Sequence, residues 1–351
     1  MSDELQNRSA ILPHPKAYPM VIETSPIPAP TDSEVLIRVR AVAINPADWA
    51  VQTLGVVIKP EFHPYVNGCD VAGEVVAVGP TQYRFRSGDR VVALATAFKS
   101  GDTKYGAFQE YMLGVEPFIA RIPDRIEFRD AAVLPLCLCT SSAMLFSSEL
   151  MGLDLPRSAV QVNPKDEVVL IWGGSSSIGC NAIQAVKAAG YIVAATASKK
   201  NHTLLQDMGV DHIFEHQADG VVDEIVATIK GSGRLAGVYN AIITDETIRA
   251  CAEVASRVDG TKQVGTVLAP GMPVPQNLPG GVRAIVDKVG QMNQPELGKA
   301  IFADWLSVAL EDGSMKCRPH PEVVGTGLDK IQVAVDAIGK GVSGKKLVVE
   351  F

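Results

Sequence analysis

Between Val168 and His202 the chain reads VVLIWGGSSSIGCNAIQAVKAAGYIVAATASKKNH. An apolar strand runs into a turn of glycine and serine, a helix follows, and a second apolar strand ends on Ser198, Lys199 and Lys200. Strand, tight turn, helix and strand within about 30 residues make one βαβ unit, and such a unit calls for a parallel sheet covered by helices. Gly173, Gly174 and Gly179 shape the turn. A turn this tight needs residues that carry no side chain and tolerate unusual backbone angles. Bare backbone also lets an anion reach the free amides at the start of the helix, where the helix dipole favours negative charge. Ser175, Ser176 and Ser177 add hydroxyl donors, and Ile178 completes the spacing G-G-S-S-S-I-G. That spacing departs from G-x-G-x-x-G, so a dinucleotide site is read from the setting of the turn and not from its glycines alone.

The end of the second strand bears on which dinucleotide. An NAD site places an Asp or Glu there, on the ribose hydroxyls. Here Lys199 stands 20 residues past Gly179, beside Ser198, Lys200 and Asn201. An acid would repel a 2′-phosphate, whereas hydroxyl and ammonium groups attract it. The reading is NADPH as cofactor; the plain alternative is a solvated pair of loop lysines.

The flanking sequence says what surrounds this unit. From Asp166, strands are expected at 167–173, 191–197, 211–215, 235–242 and 262–268, with helices near 177–189, 200–208, 221–230 and 245–256. Alternation at this spacing predicts an α/β fold with a doubly wound parallel sheet. Earlier, EVLIRVRAVAI (34–44) and VAGEVVAVGP (71–80) are punctuated by NPAD, NGCD and SGDR, which predicts a compact β-rich unit. From Arg129, RDAAVLPLCLCTSSAMLFSSELMG reads as two helical pieces joined near Leu134–Pro135. Residues 296–312 read as a helix with Trp305 and Leu306 on its apolar face, and the tail from Pro319 as strand, helix and strand. The last strand is expected to rejoin the β-rich unit, which divides the chain into 1–130 with 305–351 and 131–304. Lys345 and Lys346 read as solvated, one of them within reach of a cofactor.

Composition narrows the class. The 351 residues are 47% hydrophobic and 20% charged, as in soluble globular proteins. A net charge of −7 and the lack of a Lys/Arg cluster argue against a nucleic-acid partner. No apolar run reaches the length of a membrane span. The polar, acid-bearing start lacks the pattern of a secretory signal, so a cytoplasmic location is expected. The six cysteines, at 69, 137, 139, 180, 251 and 317, are too sparse for a disulfide scaffold and are expected as buried free thiols.

AVAINPADW (41–49), GDRV (88–91) and YGAFQEY (105–111), followed by the glycine turn and the closing strand, resemble the medium-chain dehydrogenase/reductase superfamily over nearly the whole chain. The resemblance implies a GroES-like β-rich domain and a Rossmann domain, with nicotinamide and substrate in a cleft between them. Zinc-dependent members of that superfamily carry a Cys in the segment matching 45–49 and Gly-His-Glu in the segment matching 68–70. This chain has Asn45-Pro46-Ala47-Asp48 and Gly68-Cys69-Asp70. No Cys/His set has zinc-ligand spacing, so no metal is expected. Without a Lewis acid to polarise a carbonyl, the chemistry left is reduction of an activated C=C bond or a quinone. Hydride goes to the β-carbon, the developing enolate takes hydrogen bonds, and a proton follows from solvent or a side chain.

More narrowly, AVAINPADW, AAVLPLCLCTSSA (131–143), the glycine turn and GKGVSGKKLVVEF (339–351) resemble fungal trans-acting enoyl reductases of polyketide biosynthesis and quinone-oxidoreductase-like proteins. That resemblance implies secondary metabolism. The substrate would be a free enone or an α,β-unsaturated thioester on the carrier domain of a polyketide synthase partner, and the protein a monomer or homodimer. Where these reductases place a lysine four positions beyond the motif's proline, this chain has Ala50; the hydroxyl in the middle of the second segment is kept as Thr140. An NADPH quinone reductase, and a nucleotide-binding protein without turnover, are the alternatives.

The candidate catalytic residues are Asn45, Thr140 and Tyr105. Asn45 orients a carbonyl or holds the N-P turn. Thr140 donates to the nicotinamide amide or cofactor phosphates, or caps a helix. Tyr105 contacts substrate or donates a proton, or simply packs in the β unit. Asp48 is a proton relay or a helix cap. Asn240, Val267 and Leu268 stand where a doubly wound sheet presents groups to its ligand. Trp49, His63 and Cys69 are candidates to line the substrate pocket. The Gly- and Pro-rich segment 269–298 is expected as a lid or an oligomer edge. No Ser/His/Asp arrangement or G-x-S-x-G elbow supports hydrolysis.

Overall fold

Chain order runs from antiparallel strands into alternating strands and helices, and then back. The structure, a computed structural model, describes residues 6–268, 272–287 and 294–351. The chain divides into two units, Met1–Leu136 with His320–Phe351, and Cys137–Pro319. It opens with β1 (Gln6–Leu12), β2 (Val21–Pro26) and β3 (Val35–Ala43), then α1 (Pro46–Leu54), β4 (Tyr65–Val66), β5 (Asp70–Val78) and β6 (Arg90–Leu94). The one-turn α2 (Ala97–Ser100) leads to β7 (Tyr111–Gly114) and β8 (Ile119–Arg121), and the short α3 (Phe128–Ala131) precedes α4 (Pro135–Phe146).

The alternating region follows. It contains β9 (Glu167–Trp172), α5 (Ser177–Ala188), β10 (Ile192–Ala197), α6 (His202–Asp207), β11 (His212–Glu215) and α7 (Val221–Ser232). After these come β12 (Arg234–Asn240), α8 (Asp245–Arg257), β13 (Gln263–Thr266) and β14 (Arg283–Val286). The expected helix at 296–312 starts as α9 (Pro295–Gly298), passes through a π-helical stretch at Lys299–Leu306 and ends as α10 (Ser307–Asp312). The chain closes with β15 (His320–Thr326), α11 (Asp329–Ile338) and β16 (Lys345–Glu350).

In the second unit six strands pair in the order β11-β10-β9-β12-β13-β14, every pairing parallel. β9 is central and covered on both faces, so it reads as an unbroken apolar run; from Val168 to Trp172 every residue is buried. The chain order reverses between β9 and β12, which is where a doubly wound sheet opens a crevice at the carboxyl ends of its strands. The edge strand β14 was not read from the sequence. It has four residues, follows Gly280 and Gly281, and is half-buried or exposed throughout, so it carries little periodic signal. It lies inside the segment 269–298 that was expected as a lid; 269–271 and 288–293 of that segment lie outside the described residues.

In the first unit β15-β16-β3-β5-β6-β8 form a sheet that β7 joins through β3, and β2-β1-β4 form a second, smaller one. β16 runs antiparallel to β3, with Val348 opposite Ala43. Ile37, Val39, Val71, Val75, Leu347 and Val349 fill the core between these elements. Full burial of such a side chain contributes about 1.5–3 kcal/mol relative to exposure.

The division between units differs from the expected one at both ends. Residues 305–319 group with the second unit, because Lys316 and Arg318 both pair with Asp207 of α6 at 2.8 Å and the Lys316 amide donates to Gln184. The first unit reaches Leu136, because the first turn of α4 is bonded to Asp70. The stretch Phe128–Phe146 is long and apolar enough by composition to cross a membrane, but 72% of its apolar window is buried inside the protein, as in a core helix. All six cysteines are buried free thiols, and burial pushes the Cys180 and Cys251 thiols up.

Candidate functional site

The glycine turn joins β9 to α5. Gly173 has φ +86°, in the left-handed region. Its N–H donates to Thr196 Oγ at 3.0 Å, and the Gly174 N–H donates to the Thr196 carbonyl at 2.8 Å, so the turn is tied to β10. Ser176 is the N-cap of α5: its hydroxyl accepts from the Gly179 N–H at 3.0 Å and donates to the Gly173 carbonyl at 2.8 Å. A Cβ at Gly179 would sit 2.3 Å from the Gly173 carbonyl oxygen and 2.8 Å from Gly174 Cα, both backbone. The first two helical amides, of Ser177 and Ile178, have no acceptor within the helix and point out of its N-terminal end. This geometry suits a pyrophosphate, so the residues present fit a dinucleotide.

The end of β10 is linked to the same turn. Ser198 caps the short 3₁₀ turn Lys199–Asn201, and Asn201 Nδ2 donates to Ser175 Oγ at 3.1 Å. Lys199 and Lys200 are exposed, and among the described residues neither takes part in an ion pair. Val267 and Leu268 follow the carboxyl end of β13 and are half-buried. Asn240 has partners within the protein. It is fully buried, its amide donates to Thr247 Oγ at 2.9 Å and accepts from the Ile242 N–H at 3.0 Å, and it holds the turn into α8.

The first unit holds a buried polar cluster. Asn45, at the N-cap of α1, is 2% exposed. Its Nδ2 donates to Asp70 Oδ2 at 2.9 Å, and its Oδ1 accepts from Lys346 Nζ at 2.5 Å. Lys346 Nζ is also 3.0 Å from Asp70 Oδ2, with both side chains almost wholly buried. Asp70 Oδ1 accepts from the Leu136 N–H at the start of α4, at 2.6 Å. Asp48 Oδ2 accepts from the Asn45 N–H at 2.7 Å, while Oδ1 has no hydrogen-bond partner. Burial pushes the Asp48 carboxyl up to about 7; the Asn45 amide and Lys346 pull it down and Asp70 adds to the rise. Burial, then Cys69 and Asp48, raise the nearby Tyr65 hydroxyl well above its ordinary range.

The three catalytic candidates sit on different elements. Asn45 belongs to the cluster just described. The Tyr105 hydroxyl donates to Glu34 Oε1 at 2.5 Å, and burial followed by Glu34 raises its pKa, so it is a poor match for a proton donor near neutral pH. Thr140 lies on α4 in the second unit, half-buried, four residues beyond Leu136. Trp49 packs against Gly339 after α11, and His63 Nδ1 lies 3.0 Å from the Pro60 carbonyl on a half-exposed turn. Cys69 is buried beside Tyr65. Asp48 takes the capping role through the Asn45 N–H.

Lys346 overturns its sequence reading as a solvated lysine: it is 3% exposed, while Lys345 stays outside and pairs with Glu322. No sequence signal separated it from Lys345: only once β16 lies between two other strands must a lysine on its covered side find a carboxylate.

The donor set does not fit a zinc site. An ammonium lies among Asn45, Asp70 and their neighbours, and among the described residues no group of three His, Cys, Asp or Glu could hold a metal.

Comparison with known proteins agrees with this architecture. Residues 31–124 match the family described as "Alcohol dehydrogenase GroES-like domain". "Dehydrogenase pigH" of Monascus ruber is 37% identical over 98% of this chain and 99% of its own length. "Trans-enoyl reductase himH" of Aspergillus japonicus is 34% identical over 91% of this chain and 90% of its own. Among solved structures, an alcohol dehydrogenase superfamily protein from Novosphingobium aromaticivorans aligns with a TM-score of 0.75 at 21% identity, over 98% of this chain and 99% of that one. With a GroES-like first unit, a six-stranded parallel sheet opened by a glycine turn, and full-length relatives above 30% identity, the chain belongs to the medium-chain dehydrogenase/reductase superfamily.

Proposed function

We propose that this protein is a zinc-independent, NADPH-dependent reductase of activated C=C bonds, acting on an enone or an enoyl thioester. The observation that carries the cofactor choice is the end of β10, where half-buried Ser198 and exposed Lys199 and Lys200 stand in place of an acid and Asn201 is bonded to the glycine turn. Names of relatives such as "Trans-enoyl reductase himH" support the substrate class and a polyketide setting, with a carrier domain as possible partner.

In this reading NADPH, when bound, supplies the hydride that adds to the β-carbon. The Ser177 and Ile178 amides, with the Ser175 and Ser177 hydroxyls, hold its pyrophosphate. Ser198, Lys199 and Asn201 hold the 2′-phosphate through charge-assisted hydrogen bonds. The backbone at Val267 and Leu268 takes the carboxamide, and Thr140 orients the nicotinamide end. A proton reaches the α-carbon to complete the reduction.

Calorimetric titration of NADPH and NADH tests the reading, with wild type and Lys199→Asp side by side. Wild type should prefer NADPH, and the variant should lose roughly tenfold or more of its NADPH affinity. Equal binding of both dinucleotides would reduce the lysines to surface charge. Binding of neither would favour a protein without this cofactor. NADPH oxidation with enones, enoyl thioesters and quinones as acceptors then separates alkene from quinone reduction.

A further inference from the structure

We propose that Thr196 is a positioning residue for the dinucleotide: it clamps the glycine turn to the strand end that carries Ser198 and Lys199, so that one ligand meets both at once. The proposal rests on the NADPH reading above and goes beyond it, because that reading gives Thr196 no part in holding the cofactor.

The geometry that carries it is one residue serving two consecutive amides of the turn. Thr196 is the penultimate residue of β10 and is fully buried. On one side it stays in register with Phe214 of β11. On the other, the pairing of β10 with β9 ends at Ala195 opposite Ile171, just before β9 runs into the turn. Thr196 thus stands where that ladder stops. Its carbonyl accepts from the Gly174 N–H at 2.8 Å, and its Oγ accepts from the Gly173 N–H at 3.0 Å. Gly173, with φ +86°, bends the chain out of the ladder, and the hydroxyl supplies the acceptor that a neighbouring strand would otherwise give. Valine has nearly the same shape and no such acceptor.

The consequence spreads through the turn. The Gly173 carbonyl accepts from the Ser176 hydroxyl at 2.8 Å, and α5 lies so close to the same oxygen that a Cβ at Gly179 would be 2.3 Å from it. Ser176 caps α5, whose first amides, of Ser177 and Ile178, are the proposed pyrophosphate donors. Two residues past Thr196 stands Ser198, then the turn Lys199–Asn201, and Asn201 Nδ2 returns to Ser175 Oγ at 3.1 Å. The end of β10 therefore holds the glycine turn at Gly173–Gly174 and again at Ser175. A ligand with phosphates at both places binds by two linked attachments, and the gain from linking them depends on a fixed separation. Buried as it is, Thr196 acts through that separation and not by contact.

The test is a double-variant cycle in NADPH affinity, measured by calorimetry on the full chain, with Thr196→Val and Lys199→Ala singly and together. Each single variant should lose roughly tenfold in affinity. The double variant should lose clearly less than the product of the two losses, because a lysine held at the wrong distance has little left to lose. Multiplicative losses would overturn the proposal and leave Thr196 a packing residue, and so would undiminished binding by Thr196→Val. Thr196→Ser keeps the acceptor and should stay within about threefold of wild type. A loss equal to that of Thr196→Val would also overturn the proposal. Thermal melting checks that each variant is folded. If Thr196→Val is not, Thr196→Ala, which lacks the hydroxyl and adds no bulk, takes its place in the cycle. The NADPH reading fails elsewhere, before any threonine variant is made. Wild type that binds no NADPH, or Lys199→Ala that binds it as wild type does, would remove that reading and the proposal with it.

Discussion

Asp48 shows how burial turns one carboxyl into a liability of known sign. Its folded pKa of about 7 lies above the ordinary 3.8, with burial as the largest cause. Between those values the folded chain holds a proton that the unfolded chain has released. Stability therefore falls as pH rises through this window, by at most about 1.4 kcal/mol per pH unit, and the full penalty stands above the folded pKa. Asp70 adds to the rise, the Asn45 amide and Lys346 reduce it, and Tyr65 lies alongside. In Asp48→Asn the side-chain oxygen still accepts from the Asn45 N–H, but the titration is gone. Its melting temperature should fall less than that of the wild type between pH 5 and 8. Parallel melting curves would assign the pH dependence to other groups. At this same scale the sequence leaves Tyr105, Asn240 and Trp49 undecided for one reason: a polar or aromatic residue near a motif says nothing of where its side chain turns. Glu34, Thr247 and Gly339 engage them instead.

Among elements, the strand–turn–helix of β9 and α5 has the least room for change. Gly179→Ala would drive a methyl into the Gly173 carbonyl and Gly174 Cα, so α5 must shift away from the turn. The variant should melt lower than wild type and lose the added stability that NADPH confers, in paired scans with and without the dinucleotide. Retained NADPH stabilisation would mean that the turn does not hold the pyrophosphate. Gly231→Ala is the matching control. That glycine lies near the end of α7 with open space around it and no positive φ, so alanine should stabilise by roughly 0.5 kcal/mol, measured by denaturant unfolding. The elements that were legible from sequence share a property: each carries its own period or punctuation. β9, β10, α5, α7 and α8 do, whereas β14 is too short and too exposed, and the π-helical turn at Lys299–Leu306 has no sequence period of its own.

For the whole molecule, the chain passes between its two units twice, near Leu136 and near Pro319. A ligand that binds only the folded state stabilises by about 2.7 kcal/mol at 100 times its dissociation constant. NADPH should therefore raise the unfolding temperature in calorimetric scans, and NADH at the same concentration should raise it less. If the two units unfold as one, the entire transition moves; if they unfold separately, only the part belonging to the sheet unit does. A shift that is equal for both dinucleotides would contradict the lysine-ended strand as a selector.

The division between what the string of residues decided and what folding decided follows sequence distance. The parallel sheet and its glycine turn are local: strand, turn, helix and strand follow one another, and glycine's freedom and the helix dipole act within a few residues. Family membership was legible for that reason, and so was the turn on which the proposed nucleotide site rests. The buried cluster is not local. Asn45 meets Asp70 across 25 positions and Lys346 across 301. Nothing in KKLVVE tells Lys346 from Lys345 until β3 and β15 pair on either side of β16 and one lysine turns inward. Desolvation then requires a partner that only the folded chain can bring.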